Sequence, residues 1–284
     1  MNRHNERNDP GNSQYPGEKI IIGDRHIGQG YRPFIIAEMS GNHNRSLERA
    51  LDIVEAAARA GAHALKLQTY TADTLPLIER IAATGKPVIM STGMATAGEL
   101  DEAVQAARTC GCNDIILLKC TSTYPASPND SNLRTISHMR TLFNCEVGIS
   151  DHTVGIGVAL AAVAMGATVI EKHFTLSRAD GGVDAPFSIE PAELKQLVEE
   201  TKRAWQSLGR VQYGPTRPEC KSLVFRRSIY VTADIDAGTV LTPENMRPIR
   251  PAGGLPPKYY QQILGKKVNR SVRKGTPLSW DMIG

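Results

Sequence analysis

Residues 146–174 read EVGISDHTVGIGVALAAVAMGATVIEKHF. Two short apolar runs, Glu146–Ser150 and Thr168–His173, flank an alanine-rich stretch, Ile156–Met165, with the length and composition of a helix. Polar groups gather where the strands run out: Asp151 and His152 after the first, Glu171 and His173 within the second. Strand, covering helix and parallel strand is the unit such a pattern predicts. Functional side chains at successive carboxyl ends are how a (β/α) barrel builds an active site. A packed core has no need of them there.

Working outward, the same unit recurs. FIIAE (34–38) ends in Glu38, and LERALDIVEAAARAG follows, with Leu47, Leu51 and Val54 at helical spacing and Gly61 as C-cap. A strand over Ala64–Thr69 carries Lys66 and Gln68, and one over Val88–Ser91 ends at Ser91. DIILLKCTSTYP supplies a strand over Ile115–Cys120, followed by Ser122 and Tyr124. Further helices fit Ala97–Cys110, Leu133–Leu142 and Pro191–Leu208. Lys19–Ile22 with the turn at Gly23–Asp24 predicts a hairpin able to plug the amino-terminal mouth of a barrel.

The strand count is six, whereas a closed barrel of this type has eight. TYTADT passes straight into LPLIERIAATG, which reads as half a helix feeding the Val88 strand. Two βα units are missing between Thr74 and Leu75. The expected organisation is an arm over 1–18, a barrel over 19–210, a Gly/Pro linker over 211–221, and a small β-rich domain over 222–284.

The formal charge of +4 is uneven: Ser222–Gly284 holds ten Lys/Arg against four Asp/Glu. Such a basic part suits a cover over an anionic substrate better than nucleic acid, because the cations are scattered and no nucleic-acid module is present. Five cysteines without a framework pattern point to a reducing compartment. The polar N-terminus reads as no signal peptide, and no apolar run approaches 18 residues. The expectation is a cytoplasmic protein without membrane contact.

The motifs IIAEMSGNHN, KLQTYTADT, GKPVIMSTGMAT, LLKCTSTYP, VGISDHTVG and IEKHFTLSRADGGVDAPFS occur in this order. With RRSIYVTADIDAGTVLTPENMRPIRPAGGLPPKYYQQILGKKV behind them, the chain resembles the sialic acid synthase family, whose barrels carry an antifreeze-like (SAF) domain. The SGNHN, TYTADT, KCTSTYP and GLPPKYY wordings are most similar to its pseudaminic acid synthases.

The resemblance implies condensation of phosphoenolpyruvate with the open-chain aldehyde of an N-acylated amino-sugar, here 2,4-diacetamido-2,4,6-trideoxy-altropyranose. The enol carbon attacks the aldehyde, carbon two takes up water, and the tetrahedral intermediate collapses with loss of phosphate. The relatives' N-acetylneuraminate and legionaminate syntheses are the neighbouring readings, and a noncatalytic scaffold or binding module is the reading from a different class.

It also implies roles. Glu38 and Glu171 are the catalytic carboxylates, Lys66 and Ser91 hold phosphoenolpyruvate, and Gln68, Ser122, Tyr124 and Asp184 line the sugar site. His152 and His173 hold a divalent ion, Mn2+ or Mg2+; the bland alternative for such a pair is two core imidazoles. Arg250 of RPIRPAGG reaches the sugar's N-acyl group from a neighbouring subunit, in a homodimer whose C-terminal caps are swapped. The two missing units carry family phosphate ligands that no segment here matches.

Overall fold

The computed structural model describes residues 20–66 and 75–284. A hairpin, β1 (Ile20–Ile22) and β2 (Arg25–Ile27), turns at Gly23, whose φ of 64° suits glycine. Then come β3 (Phe34–Glu38), α1 (Leu47–Ala60), β4 (Ala64–Lys66), α2 (Leu75–Ala82), β5 (Val88–Ser91) and α3 (Ala97–Thr109). They are followed by β6 (Ile115–Cys120), α4 (Arg134–Phe143), β7 (Glu146–Asp151), α5 (Gly157–Ala164), β8 (Val169–His173) and α6 (Pro191–Leu208). The expected strand over Ala64–Thr69 is described only as far as Lys66.

Strands β3 to β8 form one parallel sheet in the order β4-β3-β8-β7-β6-β5. The first barrel strand, β3, therefore pairs with the last, β8, which is how a barrel closes on itself. Among the described residues every other neighbour in sequence also pairs, except β4 and β5, which form the two edges. The break falls where the sequence lacks two units. The fold is an incomplete TIM-type barrel.

Two cores follow from the period-two alternation of strands. Inward-facing Phe34, Ile36, Ile116, Leu118 and Val169 pack together with Ile20 and Ile27 of the hairpin, which plugs the interior as expected. Outward-facing Ile35, Ile115, Leu117, Val147, Ile149 and Ile170 pack against the helices. Gly148 faces inward on β7 below the site, and a Cβ there would lie 2.3 Å from the Val169 carbonyl oxygen. Leu118 already fills that space.

Helix α1 is fixed at both ends: the Ser46 side chain accepts from Arg49 N–H, and Gly61 adopts φ 90° at the C-terminus. Its core face is Ile53, Ala56, Ala57 and Ala60. Leu47, Leu51 and Val54, the stripe that marks the helix in the sequence, point away from that core and are exposed. Small alanines, rather than leucines, allow α1 to lie close against the sheet.

The chain divides into two compact units at Gly209/Arg210. In the second, β9 (Ser228–Val231) pairs antiparallel with β10 (Met246–Ile249), and a short helix, α7 (Tyr260–Ile263), follows a 3-10 turn. Isolated bridges such as Ile235–Val272 and Val268–Ile283 make up the rest of its pairing. Gly- and Pro-rich turns interrupt each ladder before it extends. Ile229, Leu241, Met246, Ile263 and Leu278 form the unit's own core. Among the described residues no helix is long and apolar enough to cross a membrane.

Candidate active site at the carboxyl ends

Register alone assembles the first row of the site. Glu38 pairs laterally with Lys66 on β4 and with His173 on β8, so three side chains stand abreast on the inner face. Lys66 Nζ lies 3.3 Å from Glu38 Oε2 and 3.1 Å from Glu171 Oε1, an ammonium held between two buried carboxylates. His173 Nε2 is 3.5 Å from Glu38 Oε2, and its Nδ1 is 3.6 Å from Asp184 Oδ2.

The second row comes from β7. Ser150 donates to Glu171 Oε1 at 2.8 Å and lies 3.3 Å from His152 Nε2. His152 Nδ1 meets the Thr121 carbonyl at 2.9 Å. A carbonyl only accepts, so Nδ1 carries the proton and the Nε2 lone pair faces the site. The His152 and His173 rings stand edge to face with centroids 5.1 Å apart, and Tyr124 and Phe187 pack around both.

Alternation sends Asp151 and Lys172 to the opposite face. There Lys172 Nζ, fully buried, contacts Asp151 Oδ2 at 3.0 Å and the Thr153 carbonyl at 2.7 Å, while Thr153 donates its N–H and hydroxyl to Asp151 Oδ1. This pair fixes the β7–β8 ends behind the site.

The electrostatics follow from burial. Burial first, then the charge of Glu171, push the Glu38 carboxyl up to about 7, against the pull of Lys66. Burial alone would lower Lys66, but the Glu171 and Glu38 carboxylates outweigh it and raise its pKa. Burial, then His152, hold His173 down to about 4, and burial lowers His152 as well. Two neutral imidazoles therefore sit beside a carboxyl that exchanges its proton near neutrality.

Among the described residues no three His, Cys, Asp or Glu side chains converge as a ready-made metal centre. The pair itself still suits a divalent ion. His173 Nδ1 is buried with no hydrogen-bond partner, and His152 offers Nε2 from a tautomer locked by Thr121.

The structure thus gathers Glu38, Lys66, Tyr124, His152, Glu171, His173 and Asp184. Ser122 stands 3.8 Å from the inward thiol of Cys120. Ser91 ends β5 on the inner face, beside the break in the sheet, and is exposed. Gln68 lies outside the described residues. Arg250 belongs to the second unit, where it lines a concavity of about 370 Å³ with Arg227, Pro248 and Ile249. Asn42 ties its loop to the β8 end, donating to the Phe174 carbonyl at 3.0 Å and to Ser188 Oγ at 2.9 Å.

Sequence reading missed Ser150, Phe187 and Ser40, whose hydroxyl hydrogen-bonds Asp184. Ser150 was findable, because it stands two residues before His152 and shares its face. Phe187 and Ser40 give no such local signal.

Residues 73–213 match the NeuB family and residues 226–284 match the SAF domain. The chain is 33% identical to the pseudaminic acid synthase of Campylobacter jejuni, over 86% of this chain and 95% of the relative. It is 30% identical to the N,N'-diacetyllegionaminic acid synthase of Legionella pneumophila, over 93% and 98%. That alignment runs over 349 positions, more than the 284 residues here, so the relative carries stretches without a counterpart. Among solved structures, the N-acetylneuraminic acid synthetase of Leptospira borgpetersenii is similar at 29% identity and a TM-score of 0.68, covering 74% of this chain and 96% of that one. Near-complete coverage of such relatives, together with both domain matches, makes this chain a member of the NeuB, sialic-acid-synthase-like family with a C-terminal SAF domain.

Proposed function

We propose that the chain condenses phosphoenolpyruvate with the aldehyde of 2,4-diacetamido-2,4,6-trideoxy-altropyranose and water, giving pseudaminic acid and phosphate. The observation that carries this is Lys66 between Glu38 and Glu171, next to two neutral imidazoles. The ammonium offers a counter-charge to the anionic donor. Glu38, held near 7, is suited to take the proton of the water that adds to carbon two. Glu171, the second catalytic carboxylate, and Asp184 accept from sugar hydroxyls, Ser122 donates to another, and the exposed Tyr124 ring gives the sugar an apolar wall; Gln68 is assigned to the same sugar. Ser91 donates to phosphoenolpyruvate.

His152 and His173 would hold Mn2+ or Mg2+, which supplies Lewis acidity toward the aldehyde oxygen. Arg250 caps the sugar's N-acyl group from a second subunit, in a cytoplasmic homodimer with exchanged SAF domains. The Campylobacter relative supports the choice of sugar, and the place of Arg250 in the SAF concavity beside Arg227, Pro248 and Ile249 is what the cap assignment rests on.

The test is phosphate release from phosphoenolpyruvate with each of three aldoses. The diacetamido-altrose should be consumed. Turnover of N-acetylmannosamine alone, or of the legionaminate precursor alone, would overturn the substrate assignment. The break between β4 and β5 favours a second reading, a noncatalytic binding module. Absence of phosphate release with every aldose, despite a folded chain that binds Mn2+, selects it.

A further inference from the structure

The break in the barrel has walls as well as edges. Inward-facing positions on β4 and β5 remain open although their lateral neighbours are sealed. The Lys66 side chain is 39% exposed beside Glu38 at 3%, and Ile89 is 36% exposed beside Ile116 at 0%. On the outer layer, α1 packs against α6 on one side. Its other side presents Leu47, Leu51 and Val54, which are 76%, 57% and 42% exposed. These residues stand at i, i+4 and i+7, the spacing of a helix-packing ridge.

We propose that this face receives a separate polypeptide made of two strand–helix units. Its strands would pair in parallel with the open edges of β4 and β5, and one of its helices would cover the α1 stripe. Three observations choose this occupant. Six strands in an order interrupted once leave room for two in an eight-stranded ring. Both edges run in the same direction, so the occupant's strands must be parallel and joined by helical crossovers. Relatives that this chain covers almost completely align over more positions than it possesses, so a stretch of this kind is part of their chains. Two units of a barrel of this class come to about 60 residues. The eight residues between Lys66 and Leu75 cannot supply them.

A second copy of the chain fits the face less well. Each copy brings six strands and a plugged interior, and two of them would build a ring far wider than the hairpin plug fills.

The test uses the full chain and, as a probe, the stretch of the Campylobacter synthase without a counterpart here, made as its own polypeptide. Sedimentation should show a one-to-one complex, and amide exchange should slow at 64–66 and 88–91. Leu51→Glu should leave the melting temperature of the isolated chain unchanged and weaken the complex about tenfold or more. Three results overturn the proposal: no complex at micromolar concentrations, self-association that Leu51→Glu abolishes, or a fall in the isolated variant's melting temperature, which would mean that the stripe is already covered.

Discussion

Glu38 and His173 lie 135 positions apart in the sequence, yet the β3–β8 register makes them lateral neighbours, with Oε2 3.5 Å from Nε2. The closing seam of the barrel thus runs through the row of Lys66, Glu38 and His173 itself. Glu38→Gln keeps the shape but removes the exchangeable proton. The expected outcome is a loss of about 10²–10⁴ in kcat with little change in KM for phosphoenolpyruvate. Steady-state phosphate release measures it, and an unchanged kcat removes Glu38 from the chemistry.

The imidazole pair predicts a binding result independent of turnover. Titration calorimetry with Mn2+ should give one site per chain, lost in His152→Ala and again in His173→Ala, while circular dichroism stays that of the parent. Equal Mn2+ affinity in all three proteins would assign the histidines to packing.

Behind the site, Lys172 and Asp151 form a fully buried ion pair. Lys172→Met strands the carboxylate with Thr153 alone and should cost about 3–5 kcal/mol in urea unfolding. Adding Asp151→Asn should recover a large part of that loss, because the uncompensated charge goes with it. If the double variant is as unstable as the single one, packing rather than charge sets the cost.

These results bear on what could be read from the chain. Strand–helix alternation and polar strand ends were legible because each is local, and EKHF even fixed which residues share a face. Lys172 was invisible as a core residue, since its partner lies 21 positions away and only the β7–β8 pairing joins them. Helix α1 misled in a physical way: leucines at helical spacing mark a helix, but α1 is seated on alanines that let it approach the sheet. Ser40 and Phe187 reach the site through loop paths that no periodicity encodes.

Gly148 predicts a second stability effect, steric rather than electrostatic. Gly148→Ala drives a methyl toward the Val169 carbonyl and the Leu118 side chain, and backbone cannot yield as a side-chain tip can. A loss of about 1–3 kcal/mol is expected in thermal or urea unfolding. A neutral result would mean that the β7–β8 spacing is looser than described.

His63 predicts a pH dependence away from the site. Burial, then Arg25 and Arg32, hold it down to about 4, and its Nδ1 accepts the Ile35 N–H at 2.9 Å, which requires a neutral nitrogen. An unfolded histidine titrates near 6.5, so below that value the unfolded chain binds more protons than the native one. The contribution is complete above pH 6.5 and drains away as pH falls toward 4, by about 2 kcal/mol at this half-buried position. His63→Asn keeps an acceptor that does not titrate. Its unfolding free energy should fall less steeply across that window, and parallel profiles would count against the assignment.

Pairing of the first barrel strand with the last also governs the order of assembly. A ribosome delivers β3 long before β8, and until residues 169–173 emerge, one edge of β3 has no neighbour to join. The seam is therefore a late, long-range closure, slow by its topology. The row of Lys66, Glu38 and His173 cannot exist in any earlier intermediate. A nascent chain stalled before β8 would hold every residue of β3 and β4 and still have no His173 to set beside Glu38.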